Sequence, residues 1–214
     1  MNISAIIVAA GSGKRFGSKK QFEYIGHRRI FEITLSKFLG INQLKNIVIV
    51  LPKDNIKNII KNLKFPENVK IVSGGKTRQH SVFNGLSALP LNTDIVIIHD
   101  GVRPFISKEI ISESISAAKK CGAAIVAVPV KDTVKIVKNE YIISTPERRN
   151  IFLAQTPQTF KYSIIMQAYK KAFKNNYFST DDSALVEKLG RKVRIVLGEY
   201  KNIKITTKDD IKNL

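Results

Sequence analysis

The feature that most constrains the fold is an alternation of short apolar runs with amphipathic segments over the first 130 residues. The apolar runs are rich in Ile and Val almost throughout, as is typical of parallel strands covered on both faces. The predicted strands are Ile3–Val8, Ile47–Leu51, Val69–Val72, Ile95–His99 and Ala124–Val130. The predicted helices are about Ile30–Leu39, Asn55–Leu63, Arg78–Leu89 and Lys108–Cys121. This βα order predicts an α/β fold with a doubly wound, mostly parallel sheet and right-handed crossovers.

The alternation changes after Val130. Two β-rich runs, Thr133–Val137 and Tyr141–Ser144, surround Lys138-Asn139-Glu140, which predicts a small β-hairpin arm at about 131–150. The rest of the chain favours two helices, a strand, an extended segment and a final short helix capped by Thr207 and Asp210. These lie at about Tyr162–Lys174, Asp181–Leu189, Val193–Leu197, Asn202–Thr206 and from Thr207 onward. At 214 residues we expect one domain, 1–214, that carries the arm.

The charge of the chain is strongly positive, with 36 Lys and Arg against 17 Asp and Glu and a net charge of +19. A nucleic-acid-binding module is therefore one hypothesis. However, 27 of the 36 cations are Lys, whereas phosphate and base readers favour Arg for its bidentate fork. The cluster Lys53, Lys57, Lys61 and Lys64 has helical spacing and is typical of a solvated helix face. We therefore expect no nucleic-acid partner.

The cysteine content and hydropathy exclude several other classes. Cys121 is the only cysteine, so an intramolecular disulfide framework or a Cys-based zinc site is excluded, and a reducing, cytoplasmic location is expected. Near a helix end, Cys121 is interpreted as a small buried hydrophobe. No apolar run approaches the roughly 18 residues of a membrane span, and no signal peptide is expected before Ile3.

A glycine-rich loop directly after the first strand is the strongest local signal. It reads Ala9-Ala10-Gly11-Ser12-Gly13-Lys14-Arg15-Phe16-Gly17. Small residues let the backbone approach a ligand, and backbone N–H groups can hold phosphates. The loop lacks the Gly-Lys-Ser/Thr ending of a Walker A loop and the third glycine of the dinucleotide fingerprint. With Lys14, Arg15, Lys19 and Lys20 nearby, it suits a triphosphate, although a tight turn with surface lysines is the alternative.

A second motif, His99-Asp100-Gly101-Val102-Arg103-Pro104, lies where an apolar strand ends. Ligands of open α/β sheets bind at such carboxyl ends. Asp100 could hold Mg²⁺ or a substrate hydroxyl, and Arg103 could fix its geometry. The alternative is a loop-capping Asp in an ion pair. We interpret His99 as a structural histidine.

The remaining polar motifs are individually ambiguous. Gly74-Gly75-Lys76-Thr77-Arg78-Gln79-His80-Ser81 is either a nucleoside-reading loop or a loop in which Thr77 caps a helix. Gln155-Thr156-Pro157-Gln158 is interpreted as a compact turn of unassigned role. Ser179-Thr180-Asp181-Asp182 favours a helix N-cap over a paired-carboxylate metal site.

Taken in order, these segments resemble the 2-C-methyl-D-erythritol 4-phosphate cytidylyltransferase family of the non-mevalonate isoprenoid pathway. The resemblance runs from Ile3 to about Asp210. It rests on AAGSGKR, KKQF, GGKTRQHS, HDGVRPF, VPVKDT, AQTPQTF, TDDSALVE and NIKIT. It implies a Rossmann-like nucleotidyltransferase fold, CTP and a polyol phosphate as substrates, Mg²⁺ or another divalent cation as cofactor, and a homodimer in which the arm exchanges between subunits.

The resemblance also implies a role for individual residues. CTP would lie on Ala9, Ala10, Gly11, Gly13, Gly75, Arg78 and Ser81. Arg15, Lys20, Arg148 and Lys204 would be catalytic. The polyol phosphate would contact Asp100, Arg103, Thr133, Arg148 and Lys204, and Asp100 is the candidate metal ligand if the phosphates do not hold the metal themselves.

Three points leave alternatives open. Lys76 stands where family members often carry an acid for the ribose, so that contact is in doubt. The Val before Arg103 also occurs in the sister family, ribitol-5-phosphate cytidylyltransferase, which is the alternative enzyme. A protein that binds a nucleotide for regulation alone would fit the same loops.

Overall fold

The protein is described from a computed structural model, which covers residues 1–13, 16–56 and 63–212. Most of the predicted helix Asn55–Leu63 lies outside these ranges, as do Lys57 and Lys61 of the proposed solvated face. Lys14 and Arg15 of the glycine-rich loop also lie outside them.

A mixed sheet of seven strands forms the centre of the described part of the chain. Its strands are β1 Ile3–Val8, β4 Leu44–Leu51, β5 Val69–Ser73, β6 Ile95–Asp100, β7 Ala123–Pro129, β10 Phe152–Lys161 and β11 Arg194–Leu197. Their spatial order is β11-β7-β10-β6-β1-β4-β5. All neighbours are parallel except β10, which is antiparallel to both β6 and β7. The predicted mostly parallel sheet is therefore confirmed.

Two small hairpins stand apart from this sheet. β2 Tyr24–Ile25 pairs with β3 Arg28–Arg29, and β8 Ile136–Lys138 pairs with β9 Tyr141–Ser144. The second is the predicted arm. Its two-residue turn has positive φ at Asn139 (49°) and Glu140 (68°), the combination that matches the twist of a hairpin.

Helices cover both faces of the sheet. They are α1 Ile30–Leu39, α2 Arg78–Ser87, α3 Lys108–Cys121, α4 Tyr162–Lys174, α5 Ser183–Glu187 and α6 Asp209–Lys212, with 3₁₀ turns at Lys20–Phe22, Lys53–Asn55 and Arg148–Asn150. One face packs on α1 and α3, through residues such as Phe38 and Ile111. The other packs on α2 and α4, through residues such as Leu86 and Tyr169. Burial of these two apolar layers makes the fold doubly wound.

Two predictions about local structure were wrong. Gln155-Thr156-Pro157-Gln158 is not a loop turn but the centre of β10, in the middle of the sheet. The polar run hid a buried strand because its side chains find partners there, and the β7–β10 register shifts between Ala154 and Gln158. Cys121 is exposed rather than buried, since α3 ends there and Gly122 turns away with φ 85°.

No helix in the described ranges is both long and apolar enough to cross a bilayer.

The arm exposes several large apolar side chains to solvent. Ile136, Val137, Tyr141, Ile142 and Ile143 are each at least half exposed.

Candidate active site

A cavity of about 450 Å³ opens where β1, β5 and β6 end, at the carboxyl edge of the parallel strands. Three segments that follow these strands line it, together with a stretch near the C-terminus. Among its described lining residues four are cationic and one is acidic: Lys20, Lys76, Arg78 and Lys204, and Asp100. Open α/β sheets bind ligands at this edge, and the excess of positive charge favours an anion.

The glycine-rich loop is held in a tight turn that needs its second glycine. Gly13 has φ 72°, and a β-carbon there would come within 1.7 Å of the Ser18 carbonyl oxygen. The Gly13 carbonyl accepts hydrogen bonds from Phe16 N (2.9 Å) and Gly17 N (3.0 Å). Gln21 donates to the Gly11 carbonyl oxygen at 3.0 Å. The loop backbone thus lies along the cavity wall, with Lys20 lining the cavity beside it.

Asp100, the last residue of β6, lies beneath three cations. Its Oδ2 is 2.7 Å from Lys204 Nζ and 3.6 Å from Arg103 Nε, and its Oδ1 is 3.5 Å from Arg78 Nε. The carboxylate is 7% exposed. Burial acts to raise the pKa of Asp100, but Arg78, Lys204 and Arg103 outweigh it and hold the pKa well below its usual range. Asp100 is therefore an anion that orders the surrounding cations.

His99 takes part in a closed hydrogen-bond chain rather than in chemistry at the cavity. It is fully buried, and burial lowers its pKa to about 4, so the ring is neutral at physiological pH. Its Nε2 is 3.1 Å from the Arg103 carbonyl oxygen, and its Nδ1 is 3.0 Å from Thr156 Oγ1. Thr156 Oγ1 also accepts from Asp100 N at 3.0 Å. The structural interpretation of His99 agrees with these contacts, and Thr156 anchors the backbone of Asp100.

The third motif, Gly74–Ser81, forms a further part of the cavity wall. Thr77 caps α2 by accepting from His80 N at 3.2 Å, as its position predicts. Ser81 Oγ accepts from Gly75 N at 3.1 Å and donates to the Thr77 carbonyl at 2.9 Å, which closes the loop on itself. Gly75, Lys76, Arg78 and Ser81 all line the cavity.

The Ser179–Asp182 motif gives one expected and one unexpected result. Asp181, the residue before the N-cap, accepts from Ala184 N at 3.1 Å and so satisfies a free N–H at the start of α5, in agreement with a capping role for this motif. Asp182 instead holds Arg78 in a bidentate pair, with distances of 2.9 and 2.8 Å from Nη1 and Nη2. Tyr169 donates its hydroxyl to the same carboxylate. Sequence reasoning missed Asp182 and Tyr169, because 104 residues separate Asp182 from Arg78.

Not every predicted site residue lines the cavity. Ala9 is buried just behind it, and Arg103 reaches Asp100 from the side while donating to the Asn202 carbonyl oxygen at 2.8 Å. Thr133 and Arg148 lie on or beside the arm, and Arg148 donates to the Lys131 carbonyl oxygen at 2.8 Å. Neither of these two residues is part of the cavity lining of its own chain.

The donor set near the cavity fits only a metal held mostly by a ligand. The described residues contain no group of three or more His, Cys, Asp or Glu side chains that could share a metal. Both oxygens of Asp100, the acid that lines the cavity, already contact cations. Such a site suits Mg²⁺ that keeps waters and binds through at most one carboxylate and the phosphates of a substrate.

Comparisons with known proteins agree on one family. Residues 3–213 match the family model for 2-C-methyl-D-erythritol 4-phosphate cytidylyltransferase. The protein of that name from Clostridioides difficile is 48% identical, over 97% of this chain and 90% of its own length. The crystal structure of 4-diphosphocytidyl-2C-methyl-D-erythritol synthase from Anaerococcus prevotii is 41% identical, with a TM-score of 0.90 over 99% of this chain and 93% of that one. The Francisella tularensis cytidylyltransferase structure is 31% identical, with a TM-score of 0.86 over 100% of this chain and 98% of that one.

Proposed function

The chain belongs to the 2-C-methyl-D-erythritol 4-phosphate cytidylyltransferase family, and we propose that the cavity at the carboxyl ends of β1, β5 and β6 is where it carries out that reaction. In this step of the non-mevalonate pathway, a cytidylyl group passes from CTP to methylerythritol phosphate and pyrophosphate is released. The chain is accordingly a nucleotidyltransferase.

The observation that carries the assignment to this cavity is its charge. Four cationic side chains and one carboxylate line the described part of a glycine-rich cavity. Both substrates are polyanions, and a phosphate monoester with a second pKa near 6 is largely dianionic at neutral pH. Bringing two such anions together requires positive charge fixed in place before they bind.

The reaction needs little covalent help from the protein. A phosphate oxygen of the polyol phosphate forms a bond to the α-phosphorus of CTP, and the bond from that phosphorus to the β-phosphate oxygen breaks. Because the nucleophile is already ionised, no general base is required. Catalysis then comes from positioning and from neutralising charge as pyrophosphate leaves.

We assign the nucleotide to the wall built by the glycine-rich loop and the third motif. The backbone of Ala9, Ala10, Gly11 and Gly13 would follow the phosphates, and Gly75, Arg78 and Ser81 would meet the nucleoside. Lys20 lines the cavity beside the loop and would neutralise the triphosphate and its transition state. Arg15, which lies outside the described residues, is proposed to act with it.

The polyol phosphate is assigned to the opposite side, around Asp100. Asp100 and Arg103 would hold the polyol hydroxyls, and Lys204 would hold the phosphate, with Thr133 and Arg148 as further ligands. Since Thr133 and Arg148 lie on the arm segment and not at the cavity of their own chain, we propose that they serve the cavity of a second copy. The large exposed apolar side chains of the arm support a homodimer, because patches of this kind mark association surfaces.

A divalent cation, Mg²⁺ in the first instance, completes the proposal. When bound, it would supply positive charge that stabilises the leaving pyrophosphate. The nucleotide phosphates would hold it, with Asp100 as the candidate protein ligand. We also propose that the enzyme works in the cytoplasm.

The test measures pyrophosphate release from CTP with Mg²⁺, with methylerythritol phosphate and ribitol 5-phosphate assayed side by side. We expect turnover with methylerythritol phosphate and at least about tenfold lower kcat/KM with ribitol 5-phosphate, since the hydroxyl and methyl groups differ at the polyol side. An equal or higher kcat/KM for ribitol 5-phosphate would contradict the substrate assignment. Loss of turnover on chelation, restored by Mg²⁺, tests the metal.

A further inference from the structure

Arg78 is held by the buried carboxylate of Asp182, which also accepts a hydrogen bond from Tyr169. Neither Asp182 nor Tyr169 is part of the cavity lining. Asp182 is fully buried and binds both terminal nitrogens of the guanidinium. Tyr169, 1% exposed, donates its hydroxyl to the same carboxylate. Burial raises the pKa of Tyr169 well above its usual value, so the hydroxyl keeps its proton and remains a donor.

The backbone around Asp182 is also fixed from the sheet. Gln158 of β10 accepts from Asp182 N at 3.0 Å and from Ser183 N at 2.9 Å. Its amide nitrogen donates to Asp181 Oδ2 at 3.0 Å. The backbone of Asp182 is therefore bonded to the central sheet, and its carboxylate is bonded to Tyr169 of α4.

The start of α2 is tied to the same segment. Gln79 Nε2 donates to the Tyr177 carbonyl oxygen at 3.1 Å, and Gln79 Oε1 accepts from Ser179 N at 3.0 Å. With its terminal nitrogens occupied by Asp182, Arg78 turns its Nε towards Asp100 Oδ1, at 3.5 Å. A planar guanidinium held at both terminal nitrogens has one remaining orientation for Nε.

We infer that Asp182, supported by Tyr169, is a positioning residue that fixes Arg78 and, through it, the carboxylate of Asp100 at the polyol side of the cavity. Asp182 touches neither substrate in this proposal, which rests on the proposed role of Asp100. Without Asp182, the guanidinium of Arg78 would be free to turn into the anion-binding cavity that it lines. It would then still attract CTP but would no longer orient Asp100.

The test compares Asp182→Asn and Tyr169→Phe with Asp94→Asn, a control at the amino end of β6, where the exposed carboxylate accepts from Asn2 N. For Asp182→Asn we expect kcat to fall about 10- to 100-fold, because displacement of a reactive geometry by an ångström is costly, while KM for CTP stays within about threefold or falls. Tyr169→Phe should lose a few-fold in kcat, and Asp94→Asn should match the wild type. Unchanged kcat in Asp182→Asn, or a rise in KM for CTP with kcat intact, would overturn the inference.

A double-mutant cycle with Arg78→Lys separates positioning from general destabilisation. Lys keeps the charge but lacks the fork, so Asp182→Asn should cost little further kcat in the Arg78→Lys background. If the losses in kcat of the two single variants multiply in the double variant, Asp182 does not act through Arg78 and the inference fails. It also fails if Asp182→Asn lowers Tm but leaves kcat unchanged. Asp100→Asn is assayed alongside these variants. If it keeps full kcat, the proposed role of Asp100 fails together with the inference, whereas loss in Asp100→Asn but not in Asp182→Asn overturns the inference alone.

Discussion

Functional side chains are held in opposite ways in two regions of the molecule. One region is the floor of the cavity, formed by Asp100 and the three cations around it, and the other is the exposed arm. At the floor, Asp100 is nearly buried and contacts three cations, and its backbone is anchored by Thr156. On the arm, every residue from Ile136 to Thr145 is exposed, and the side chain of the proposed ligand Arg148 donates to the nearby Lys131 carbonyl. The floor is thus completed by one folded chain. The arm displays apolar surface that its own chain leaves exposed, and its role in the proposed site requires the second copy that we propose.

The largest effect is expected when the charge that orders the floor is removed. Asp100→Asn leaves Arg78, Arg103 and Lys204 without their common counter-charge, and loss of one partner of a buried ion pair costs about 3–5 kcal/mol. For a chain of this size we expect Tm to fall by roughly 6–20 °C. Asp209→Asn, which removes an exposed partner of Lys212, is the matched control and should leave Tm unchanged.

The pH dependence of the same variant sharpens this prediction. Burial opposes ionisation of Asp100, but the three cations lower its pKa in the folded state below the unfolded value of about 3.9. The stabilisation is therefore fully present above that unfolded value and is lost as the pH falls through the lower, folded-state pKa. In urea titrations, the gap between wild type and Asp100→Asn should be constant from about pH 5 to 8. Closure of the gap near neutral pH would show that the carboxylate is not held ionised.

The second prediction concerns Lys20, a cation of the cavity lining that we place on the triphosphate of CTP. Lys20→Ala should lower kcat more than tenfold, on the order of 100-fold or about 2.7 kcal/mol of barrier, with little change in fold. Lys45→Ala, exposed near the amino end of β4, should retain wild-type turnover. Steady-state pyrophosphate release measures both, and unchanged turnover in Lys20→Ala would remove its assigned role.

The third prediction tests the arm directly. Arg148→Ala should lower kcat/KM for the polyol phosphate about 10- to 100-fold, or 1.4–2.7 kcal/mol, while KM for CTP changes little. Arg149→Ala is the matched control, because the side chain of Arg149 is 79% exposed and pairs with Glu147 at 2.6 Å. Equal losses in the two variants would mean that the arm contributes charge without a specific contact.

A mixing experiment shows whether the arm serves its own chain or its partner. If sites are composite, an exchanged mixture of Arg148→Ala and Lys20→Ala contains mixed dimers with one intact site. Equal amounts should then recover roughly a quarter of wild-type activity, since about half the dimers are mixed and each has one good site. Activity no higher than that of the parent variants, with dimers verified by sedimentation, would place both residues in one chain's site.

The smallest expected effect lies in the turn of the arm. Glu140 has φ 68°, which costs a side chain roughly 1–2 kcal/mol, so Glu140→Gly should stabilise the arm by about 1 kcal/mol. Asn139→Gly should change little, because Asn tolerates the left-handed conformation. Dimer dissociation constants report the difference, and a weaker dimer in Glu140→Gly would argue that the turn does not limit association.

The sequence predicts the strands and the arm better than it predicts the contacts between distant segments. The strands ending at Val8 and Asp100 were predictable because strands covered on both faces are apolar nearly throughout, and the arm was predictable from its turn. β10 was not, since the polar run Gln155–Thr159 finds its partners only in three dimensions. The Asp182 contact with Arg78 was hidden for the same reason. No spacing rule connects side chains 104 residues apart.

The position of β10 has a consequence for how the chain is made. β6 and β7 are not neighbours, and β10 lies between them. A chain synthesised only as far as β7 would hold β1, β4, β5 and β6 as a parallel unit whose β6 edge is uncovered. Bare strand edges recruit other chains. At about 5–20 residues per second, synthesis of residues 101–161 leaves that edge uncovered for roughly 3–12 s, and we expect this interval to be when nascent chains are most open to aggregation.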